Sequence, residues 1–580
     1  MHALREFLRD FWLVAKPYWN SEERWVGRGL LAVLIALSLA MVYLNVQFNE
    51  WRNDFYNAIQ EYDADAFKYQ ILKFSGLAAI YIAMAVYQYY LNQMLQLRWR
   101  RWLTERYLRL WSENRAFYAL QTFEPQTDNP DQRIADDLRL FVGQSLSLTL
   151  GLLSSVVNLG SFLGILWTLS GPLSFSAFGA EIYIPGYMVW VALAYAIVAT
   201  WLTHVIGRPL IRINFEQQQR EADFRYAAIR FRENSEQIAF SHGEAEERAI
   251  LSRRFVRVLN NWWRLMRRQK KLIWFTSGYE QIAIIFPYVV VAPRYFSREI
   301  QLGGLMQTAS AFDEVRTSLS FIINSYSDIA QWKAVIDRLR GFERGVAHAG
   351  RRMTSDSGIA IVADSGVGGV TLDGIDIDLP SGQRLLTGAR AELRAGDRVL
   401  LTGPSGSGKS TLFRAIGGLW PFGRGRIHAD TKRRMMFLPQ KPYLPLGSLR
   451  NALLYPGAGN HVGDAAIVDA LRDCGLPHLV DRLDEKRAWS QALSPGEQQR
   501  IAFARVLIQK PDILFLDEAT AALDDPTEAR LYGLLQERMG HALIVSIAHR
   551  PSLAAFHTRR LAVERDEAGG GRLVEKLEVA

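Results

Sequence analysis

The chain has 580 residues, a formal net charge of +9 and a single cysteine, Cys474. This length exceeds what one hydrophobic core supports, so we expect two or more domains. One cysteine excludes an intrachain disulfide framework, and residues 1–24 lack the apolar core and cleavage site of a signal peptide.

The first half of the chain contains apolar stretches long enough to cross a bilayer, which takes roughly 20 helical residues. Five are clear: 30–46, 74–97, 146–169, 183–206 and 272–292. A weaker sixth, near 302–329, carries Asp313, Glu314, Arg316 and Asp328. We therefore predict an α-helical transmembrane domain of six spans over residues 25–344, preceded by an amphipathic cytoplasmic segment, residues 1–24.

Basic residues indicate the orientation of these spans. Arginine and lysine are concentrated in segments 98–139 and 206–271 and near the N-terminus, whereas 170–182 has none. The positive-inside rule makes the basic segments cytoplasmic. Residues 208–270, as two antiparallel helices of ~30 residues, would reach about 45 Å into the cytosol. Because topology accounts for the basic clusters, we expect no nucleic-acid partner.

The composition changes near Gly369, where short strands, turns and helices replace the long apolar runs. We interpret residues 345–368 as a linker and residues 369–580 as an α/β ATPase domain with a phosphate-binding loop. Residues 403–410 read Gly-Pro-Ser-Gly-Ser-Gly-Lys-Ser, the complete pattern of such a loop. A predicted strand, 398–402, precedes it and a predicted helix, 411–419, follows it, which is the context that the pattern requires.

Each residue type in this loop suits the binding of a nucleoside triphosphate. Glycines allow the tight turn that points backbone N–H groups at phosphate oxygens at a helix N-terminus. Lys409 is expected at the β- and γ-phosphates, and the Ser410 hydroxyl at Mg²⁺. The predicted nucleotide-binding set is Gly403, Pro404, Ser405, Gly406, Ser407, Gly408, Lys409, Ser410 and Thr411.

A second buried strand, 513–516, ends in two acids, Asp517 and Glu518. We predict that Asp517 holds Mg²⁺ and that Glu518 is the general base for the attacking water. Gln440 follows a short strand and is expected to contact Mg²⁺ or the water, and His549 follows another strand and is expected to contact the γ-phosphate or orient Glu518. A lone Gln or His is more often structural, but their order after the phosphate loop favours the catalytic interpretation.

Residues 493–497 read Leu-Ser-Pro-Gly-Glu. They resemble the signature motif of ATP-binding cassette (ABC) proteins, usually Leu-Ser-Gly-Gly-Gln, and Pro495 departs from the usual first glycine. The resemblance implies that Ser494, Pro495, Gly496 and Glu497 complete the ATP site of the opposite subunit. It also implies that Asp524 lies in a dimer-contacting loop, and that the protein is a homodimer with two composite ATP sites.

The membrane half is similar to the family of the peroxisomal fatty-acyl transporters (subfamily D) and the SbmA/BacA-like bacterial importers. Segments 45–57, 129–134 and 233–240 carry this resemblance, and the last two are expected to couple the membrane domain to the ATPase. The resemblance implies a transporter in the bacterial inner membrane, with a cytoplasmic ATPase domain and no obligatory binding protein. The implied cargo is a hydrophilic solute, such as a cationic peptide or a cobalamin-like compound, and the implied direction is import. The alternative is an exporter of drugs or fatty-acyl compounds.

Three acids indicate where cargo would pass. Glu280 lies about 13 Å from the cytoplasmic end of the fifth stretch, at 1.5 Å per helical residue, and Asp313 and Glu314 lie in the sixth. A carboxylate at membrane depth is costly unless it faces water, a partner or cargo. The three therefore predict an acidic, wet cavity that suits cationic peptides. The alternative is that these acids pair with arginines such as Arg316 or lie beyond the membrane.

Two other classes compete with an ATP-driven transporter. Soluble ABC clamps of DNA repair or translation lack membrane spans, so the apolar stretches disfavour that class. A membrane receptor or channel that ATP only regulates has no need of hydrolysis. The presence of both Glu518 and His549 disfavours it.

Overall fold

The structure is a computed structural model of the chain. It describes residues 2–123, 130–177, 180–353, 358–364, 368–430, 432–457, 462–565 and 570–576. The chain divides into two compact units. The first comprises Met1–Leu110 with Asp128–Arg344, and the second comprises Trp111–Thr127 with Gly345–Ala580.

Long helices dominate the first half of the chain, and a hairpin of two strands, β1 (Pro172–Ala177) and β2 (Ala180–Pro185), interrupts them. A short π-helical turn, Arg133–Asp137, precedes the third long helix. In chain order the helices are α1 (His2–Trp19), α2 (Arg24–Gln60), α3 (Ala64–Ser112), α4 (Ala116–Phe123), α5 (Pro130–Gln132), α6 (Leu138–Ser170), α7 (Tyr187–Glu233), α8 (Ser235–Phe240), α9 (Glu244–Phe296), α10 (Leu302–Asn324) and α11 (Tyr326–Met353).

Five helical segments among the described residues are long and apolar enough to cross a membrane, by length and composition. They are Arg24–Gln60, Ala64–Phe123, Pro130–Ser170, Tyr187–Glu233 and Glu244–Phe296. They contain four of the five clear stretches in full, whereas the stretch 183–206 begins in strand β2 and becomes helical only from Tyr187. The predicted sixth span is α10, whose 23 residues extend about 34 Å. It ends at Asn324, and a new helix begins at Tyr326. Asn324 and Ser325 favour this break, because their side chains compete with helical backbone hydrogen bonds.

Helix α10 lies at the centre of the first unit, where it packs against α2, α6, α7 and α9. Its buried residues Phe312 and Val315 join Phe162, Leu166 and Val291 in one apolar cluster. Over residues 208–270, helices α7 and α9 form the antiparallel pair that the sequence predicts. There the buried Asn261 amide donates to Ile213 O and to Gln217 Oε1, both at 3.0 Å, so a polar side chain fixes the register of two helices.

The second unit is built on a ten-stranded sheet with the order β3-β7-β4-β5-β14-β13-β6-β12-β11-β8. Strands β13, β6, β12, β11 and β8 are parallel neighbours. Central parallel strands are buried on both faces, which is why β6, β11 and β12 are almost wholly apolar. The strands are β3 (Ile359–Ala363), β4 (Gly369–Asp378), β5 (Arg384–Arg394), β6 (Arg398–Thr402), β7 (Gly423–Ala429), β8 (Met435–Leu438), β9 (Gly447–Ser448), β10 (Lys486–Arg487), β11 (Ile513–Asp517), β12 (Leu543–Ile547), β13 (Arg559–Arg565) and β14 (Gly571–Lys576), of which β9 and β10 form a separate pair.

Helices cover this sheet and share its core. The Phe437 and Phe515 rings of neighbouring strands stack with centroids 4.7 Å apart, and Phe413 packs edge-on against Phe515 at 4.9 Å. The helices are α12 (Lys409–Ile416), α13 (Leu449–Leu454), α14 (Asp464–Asp473), α15 (Trp489–Ala492), α16 (Pro495–Gln509) and α17 (Asp525–Arg538).

The short helix α4 comes from the membrane half of the sequence but belongs to the second unit. The Phe123 ring lies 4.8 Å from the Phe422 ring and 5.9 Å from Trp420. Arg115 donates from Nη1 to Gly417 O at 2.7 Å and to Gly418 O at 3.0 Å, which are carbonyls just beyond α12. A cation at a helix C-terminus complements the helix dipole, so this segment caps the helix that follows the phosphate loop.

The predicted linker 345–368 is largely regular structure where it is described. Residues 345–353 continue α11, and residues 359–363 form the edge strand β3, which pairs in parallel with β7. Residues 354–357 and 365–367 lie outside the described residues. The short apolar run Ile359–Ala363 is enough for an edge strand, and the domain boundary at this linker stays a prediction.

Candidate nucleotide site

The predicted site residues lie together because of the topology of the sheet. Strands β6, β12, β11 and β8 are adjacent and parallel, so their carboxyl ends meet at one edge. In open α/β sheets this edge carries the ligand crevice. Strand β6 leads into the phosphate loop, β11 into Glu518, β8 toward Gln440 and β12 toward His549.

The phosphate loop turns through backbone conformations that favour glycine. Gly403 and Gly408 have φ of +147° and +91°, and a Cβ at Gly403 would lie 2.7 Å from Val563 O. The buried Lys409 ammonium donates to Gly403 O and Pro404 O, both at 2.8 Å. Burial lowers the pKa of Lys409. Ser407 Oγ is buried with no hydrogen-bond partner in the described part of the chain, so this loop fits a phosphate.

Hard oxygen donors sit beside the loop. Ser410 Oγ donates to Asp517 Oδ1 at 3.0 Å. Burial raises the pKa of Asp517, although the Ser410 hydrogen bond opposes this shift. Mg²⁺ usually takes one or two such protein oxygens together with phosphate oxygens. The Ser410 and Asp517 oxygens beside the loop fit this pattern.

Glu518 receives two partners from neighbouring strand ends. Gln440 Nε2 donates to Glu518 Oε2 at 3.0 Å, and His549 Nε2 lies 3.2 Å from Glu518 Oε1. Glu518 has a φ of +49°, a left-handed conformation that costs energy for a residue with a Cβ and clusters at functional sites. The predicted catalytic residues Gln440 and His549 therefore both contact the third, Glu518.

The predicted signature residues form the start of α16. Ser494 is the N-cap and Pro495 the first helical residue, within a capping box that Glu497 completes. Glu497 Oε2 accepts from Ser494 N at 2.9 Å and from Ser494 Oγ at 2.8 Å, and Glu497 Oε1 lies 3.0 Å from His478 Nε2. Burial raises the pKa of Glu497, but these Ser494 and His478 contacts outweigh it and leave the pKa below its ordinary value. A Cβ at Gly496 would lie 3.2 Å from Ala522 O.

Sequence reasoning missed Gln499, which connects three parts of the site. Its side chain is 3% exposed. Its amide donates to Gln440 O at 2.9 Å and accepts from Ala522 N at 3.0 Å. The predicted dimer-loop residue, Asp524, lies two positions after Ala522 and is the exposed N-cap of α17. The sequence contained one signal for Gln499. It is a polar residue on the same face of α16 as Ala502, Phe503 and Val506, which are all buried.

The acids predicted to line a cargo cavity have separate surroundings. Asp313 Oδ1 pairs with Arg316 at 2.6 Å, and the Arg316 guanidinium lies 5.8 Å from the centre of the Tyr279 ring on α9. Glu314 Oε2 instead accepts from Asn158 on α6 at 2.7 Å. Glu280 is exposed on α9. Asp313 and Glu314 therefore face different neighbours of α10, and Asp313 has the arginine partner that the alternative interpretation named.

Comparisons with known proteins cover both halves of the chain. Residues 15–296 match the family model described as ABC transporter transmembrane region 2, and residues 386–521 match the model described as ABC transporter. The chain is 35% identical to "ABC transporter D family member 2, chloroplastic" of Arabidopsis thaliana, over 97% of this chain and 86% of that protein. It is 32% identical to the Escherichia coli "Inner membrane ABC transporter ATP-binding protein YddA", over 95% and 96%, and 27% identical to the human "Lysosomal cobalamin transporter ABCD4", over 98% and 96%.

The fold also matches a solved structure, that of a bacterial Atm1-family ABC exporter with ATP bound. The TM-score is 0.71, with 19% identity and 95% of each chain covered. The fold, the recognition of the family, and ATP with Mg²⁺ as ligands of its ATPase domain are thereby confirmed. Half-transporters of this family typically dimerise in a lipid membrane. The chain belongs to the ABC transporters, as a membrane-spanning, ATP-hydrolysing half-transporter of subfamily D.

Proposed function

We propose that this chain forms a homodimer that couples ATP hydrolysis to the import of a hydrophilic solute across the bacterial inner membrane. The observation that carries the proposal is the contact of Glu518 with Gln440 and His549 beside the phosphate loop, in a chain with long apolar helices. A site that only senses ATP has no need of a positioned general base. This cluster therefore supports hydrolysis over the ATP-regulated receptor or channel.

The chain's own groups have distinct roles in this proposal. The loop from Gly403 to Thr411 binds the phosphates through its N–H groups, and Lys409 exchanges its loop carbonyls for phosphate oxygens. Ser410, Asp517 and Gln440 hold Mg²⁺, which when bound neutralises phosphate charge. Glu518 accepts the proton of the attacking water. His549 orients the Glu518 carboxylate.

Residues of the second copy complete each ATP site. Ser494 offers a hydroxyl, and Gly496 offers its backbone N–H. Pro495, which has no N–H, and Glu497 lie beside it at the N-terminus of α16, where the positive end of the helix dipole faces the phosphate. The Glu497 carboxylate accepts from Ser494 N and Ser494 Oγ, so it holds Ser494 at the start of the helix. The Ser494 hydroxyl exchanges this bond for one to a phosphate oxygen when the nucleotide binds. Asp524 is proposed to contact the other copy.

The relatives support the proposed cargo and compartment. A relative named as a cobalamin transporter and another named as an inner-membrane protein support a hydrophilic solute, such as a cationic peptide or a cobalamin-like compound, and the inner membrane. The ATPase unit is proposed to be cytoplasmic, because the basic loop segments are cytoplasmic by the positive-inside rule. We propose no obligatory binding protein and no nucleic-acid partner.

Transport assays in proteoliposomes test the direction and the solute together. Protein oriented with its ATPase outside is supplied with Mg-ATP, together with cyanocobalamin or a lysine-rich peptide on one side at a time. Import predicts ATP-dependent loss of solute from the lumen, because the lumen then corresponds to the periplasm, and Glu518→Gln should abolish it. Accumulation in the lumen would instead indicate export. Failure of both solutes, with uptake of a drug or a fatty-acyl compound, would contradict the hydrophilic cargo.

A further inference from the structure

A cavity of about 320 Å³ with polar and apolar walls lies in the first unit, between α2, α3, α6 and α10. Its polar lining consists of hydroxyl and carboxamide side chains, and no charged residue is among the described residues that line it. They include Ser38, Gln88, Ser154, Asn158 and Ser318. The polar wall of the cavity is thus not acidic.

The lining residues belong to the apolar stretches of four helices, and Ser318 lies in the sixth, 302–329. Ser38 lies near the middle of stretch 30–46, Gln88 within 74–97 and Asn158 near the middle of 146–169. Polar groups in the hydrocarbon region have no bulk water to bind. They persist there when they face protein partners, an internal cavity or a passing ligand.

Several hydrogen-bonding groups of the cavity are already paired. Gln88 Nε2 donates to Ser38 Oγ at 2.8 Å, and Ser38 Oγ donates to Leu34 O at 2.9 Å. Asn158 Nδ2 is 2.7 Å from Glu314 Oε2 and 3.1 Å from Ser318 Oγ. These bonds do not include the side-chain oxygen of Asn158. Asn158 is 9% exposed, and its Oδ1 is buried with no partner in the described part of the chain.

A buried carbonyl oxygen without a donor is unfavourable, so Asn158 Oδ1 identifies what the cavity lacks. The missing group is a hydrogen-bond donor, which an N–H or an O–H can supply. Hydroxyls such as that of Ser154, at the same cavity, are able to donate to a carbonyl in return. A neutral carboxamide supplies both an N–H and a C=O. An ammonium or guanidinium group would find no charged partner among the lining residues.

We propose that this cavity binds an uncharged carboxamide of the cargo, with the amide N–H donating to Asn158 Oδ1. The inference rests on the proposed function and deepens it, because a carboxamide is the chemistry that peptides and cobalamins share. A hydrocarbon tail would leave the lining groups unpaired, which disfavours a fatty-acyl occupant. Recognition at this point therefore depends on amide hydrogen bonds and is independent of cargo charge.

Binding to the full-length protein in lipid nanodiscs tests the site. The probes are an N-acetylated tripeptide amide without charged side chains, the same peptide with one lysine, cyanocobalamin and palmitate, measured by isothermal titration calorimetry. Asn158→Leu should weaken binding of both peptides, of cyanocobalamin, or of all three by about tenfold, as expected when a buried polar group loses its partner. Weakening of the peptides alone or of cyanocobalamin alone assigns the carboxamide to that source.

Two further variants keep the test decisive. Gln88→Met changes another wall of the cavity and should also weaken binding, so the test stands even if Asn158→Leu fails to fold. Ser161→Ala is the matched control on α6, because its hydroxyl donates to its own helix at Val157 O, 3.0 Å away. Its affinities and basal ATPase rate should equal those of the wild type.

The result that overturns the inference is wild-type affinity for the peptides and cyanocobalamin in both cavity variants. Tight binding of palmitate with no binding of any amide probe would overturn it as well. Transport in proteoliposomes separates this failure from failure of the proposed function. ATP-driven movement of a hydrophilic solute that is unchanged in Asn158→Leu and Gln88→Met removes the cavity from the cargo path and leaves the transporter assignment intact.

Discussion

Glu518 shows at the scale of one residue how this site is assembled. A left-handed backbone at a residue with a Cβ costs of order 1–3 kcal/mol, and here it carries a carboxylate that Gln440 and His549 both contact. The buried strand β11 immediately before it holds this conformation in place. A strained and doubly held carboxylate is what a positioned general base needs.

Glu518→Gln should abolish turnover and keep ATP binding. The amide retains the shape of the side chain but accepts no proton, so steady-state phosphate release should fall by about 10²- to 10⁴-fold. Equilibrium binding of a fluorescent ATP analogue should stay within twofold of the wild type (roughly 0.4 kcal/mol), since Lys409 and the loop are unchanged. Glu537→Gln, at an exposed position of α17, is the control and should keep the full rate. Normal hydrolysis by Glu518→Gln would show that another group is the base.

Glu497→Ala should destabilise the start of α16 by about 1 kcal/mol, the usual cost of losing a cap, whereas Glu497→Gln should cost less because glutamine also completes a capping box. The pKa of Glu497 is lowered in the folded state. Its stabilising effect is therefore complete above the ordinary glutamate pKa of about 4.3 and is lost as the pH falls through the lowered pKa. Thermal unfolding should show a gap between wild type and Glu497→Ala at pH 7 that narrows below pH ~4. A constant gap would mean that the carboxylate charge plays no part.

At the scale of elements, α16 carries the signature residues and also connects other parts of the site. Gln499 ties this helix to the segment after β8, through Gln440 O, and to the segment after β11, through Ala522 N. Gln440 in turn contacts Glu518. The helix that is proposed to meet one nucleotide is thus bonded to residues that act on the other.

Variants of Gln499 separate its two hydrogen bonds. Gln499→Glu keeps an acceptor for Ala522 N–H but loses the donor to Gln440 O, and Gln499→Leu loses both. We expect kcat for ATP hydrolysis to decrease from wild type to Gln499→Glu and again to Gln499→Leu, by about tenfold for each bond, with KM changed much less. Gln509→Ala, near the far end of the same helix, is the control. Equal rates in the wild type and the three variants would show that the Gln499 hydrogen bonds have only a structural role.

The sequence predicts the elements whose chemistry is local, and it fails where contacts are distant in sequence. The phosphate loop, Asp517 and the strand before Glu518 are readable because each motif adjoins its own strand. The contacts of Arg115 and Phe123 in the second unit could not be predicted from the sequence, because their partners lie about 300 residues away. The three acids at membrane depth were grouped by depth alone, although Asp313 and Glu314 are adjacent on a helix and so point in different directions.

At the scale of the whole molecule, the two-copy ATP site remains a prediction that a mixing experiment decides. Ser494→Arg should block the signature end, and Glu518→Gln the catalytic end, so each variant alone has two defective sites. A dimer with one copy of each has one fully intact site and one with both defects. Co-expressed variants carrying different affinity tags should therefore regain single-turnover hydrolysis in the purified mixed dimer. No recovery, or a monomer that hydrolyses ATP at the full rate, would contradict composite sites.

The position of α4 has a practical consequence for anyone who produces the ATPase separately. A gene fragment that begins near Gly345 would encode the whole sheet but omit Phe123 and Arg115. Trp420 and Phe422 would then face solvent, and the carbonyls of Gly417 and Gly418 would lose their cationic donor. Such a fragment should be poorly soluble. Adding residues 111–123 as a synthetic peptide should restore its solubility, because the ATPase unit is built from two separate segments of the chain.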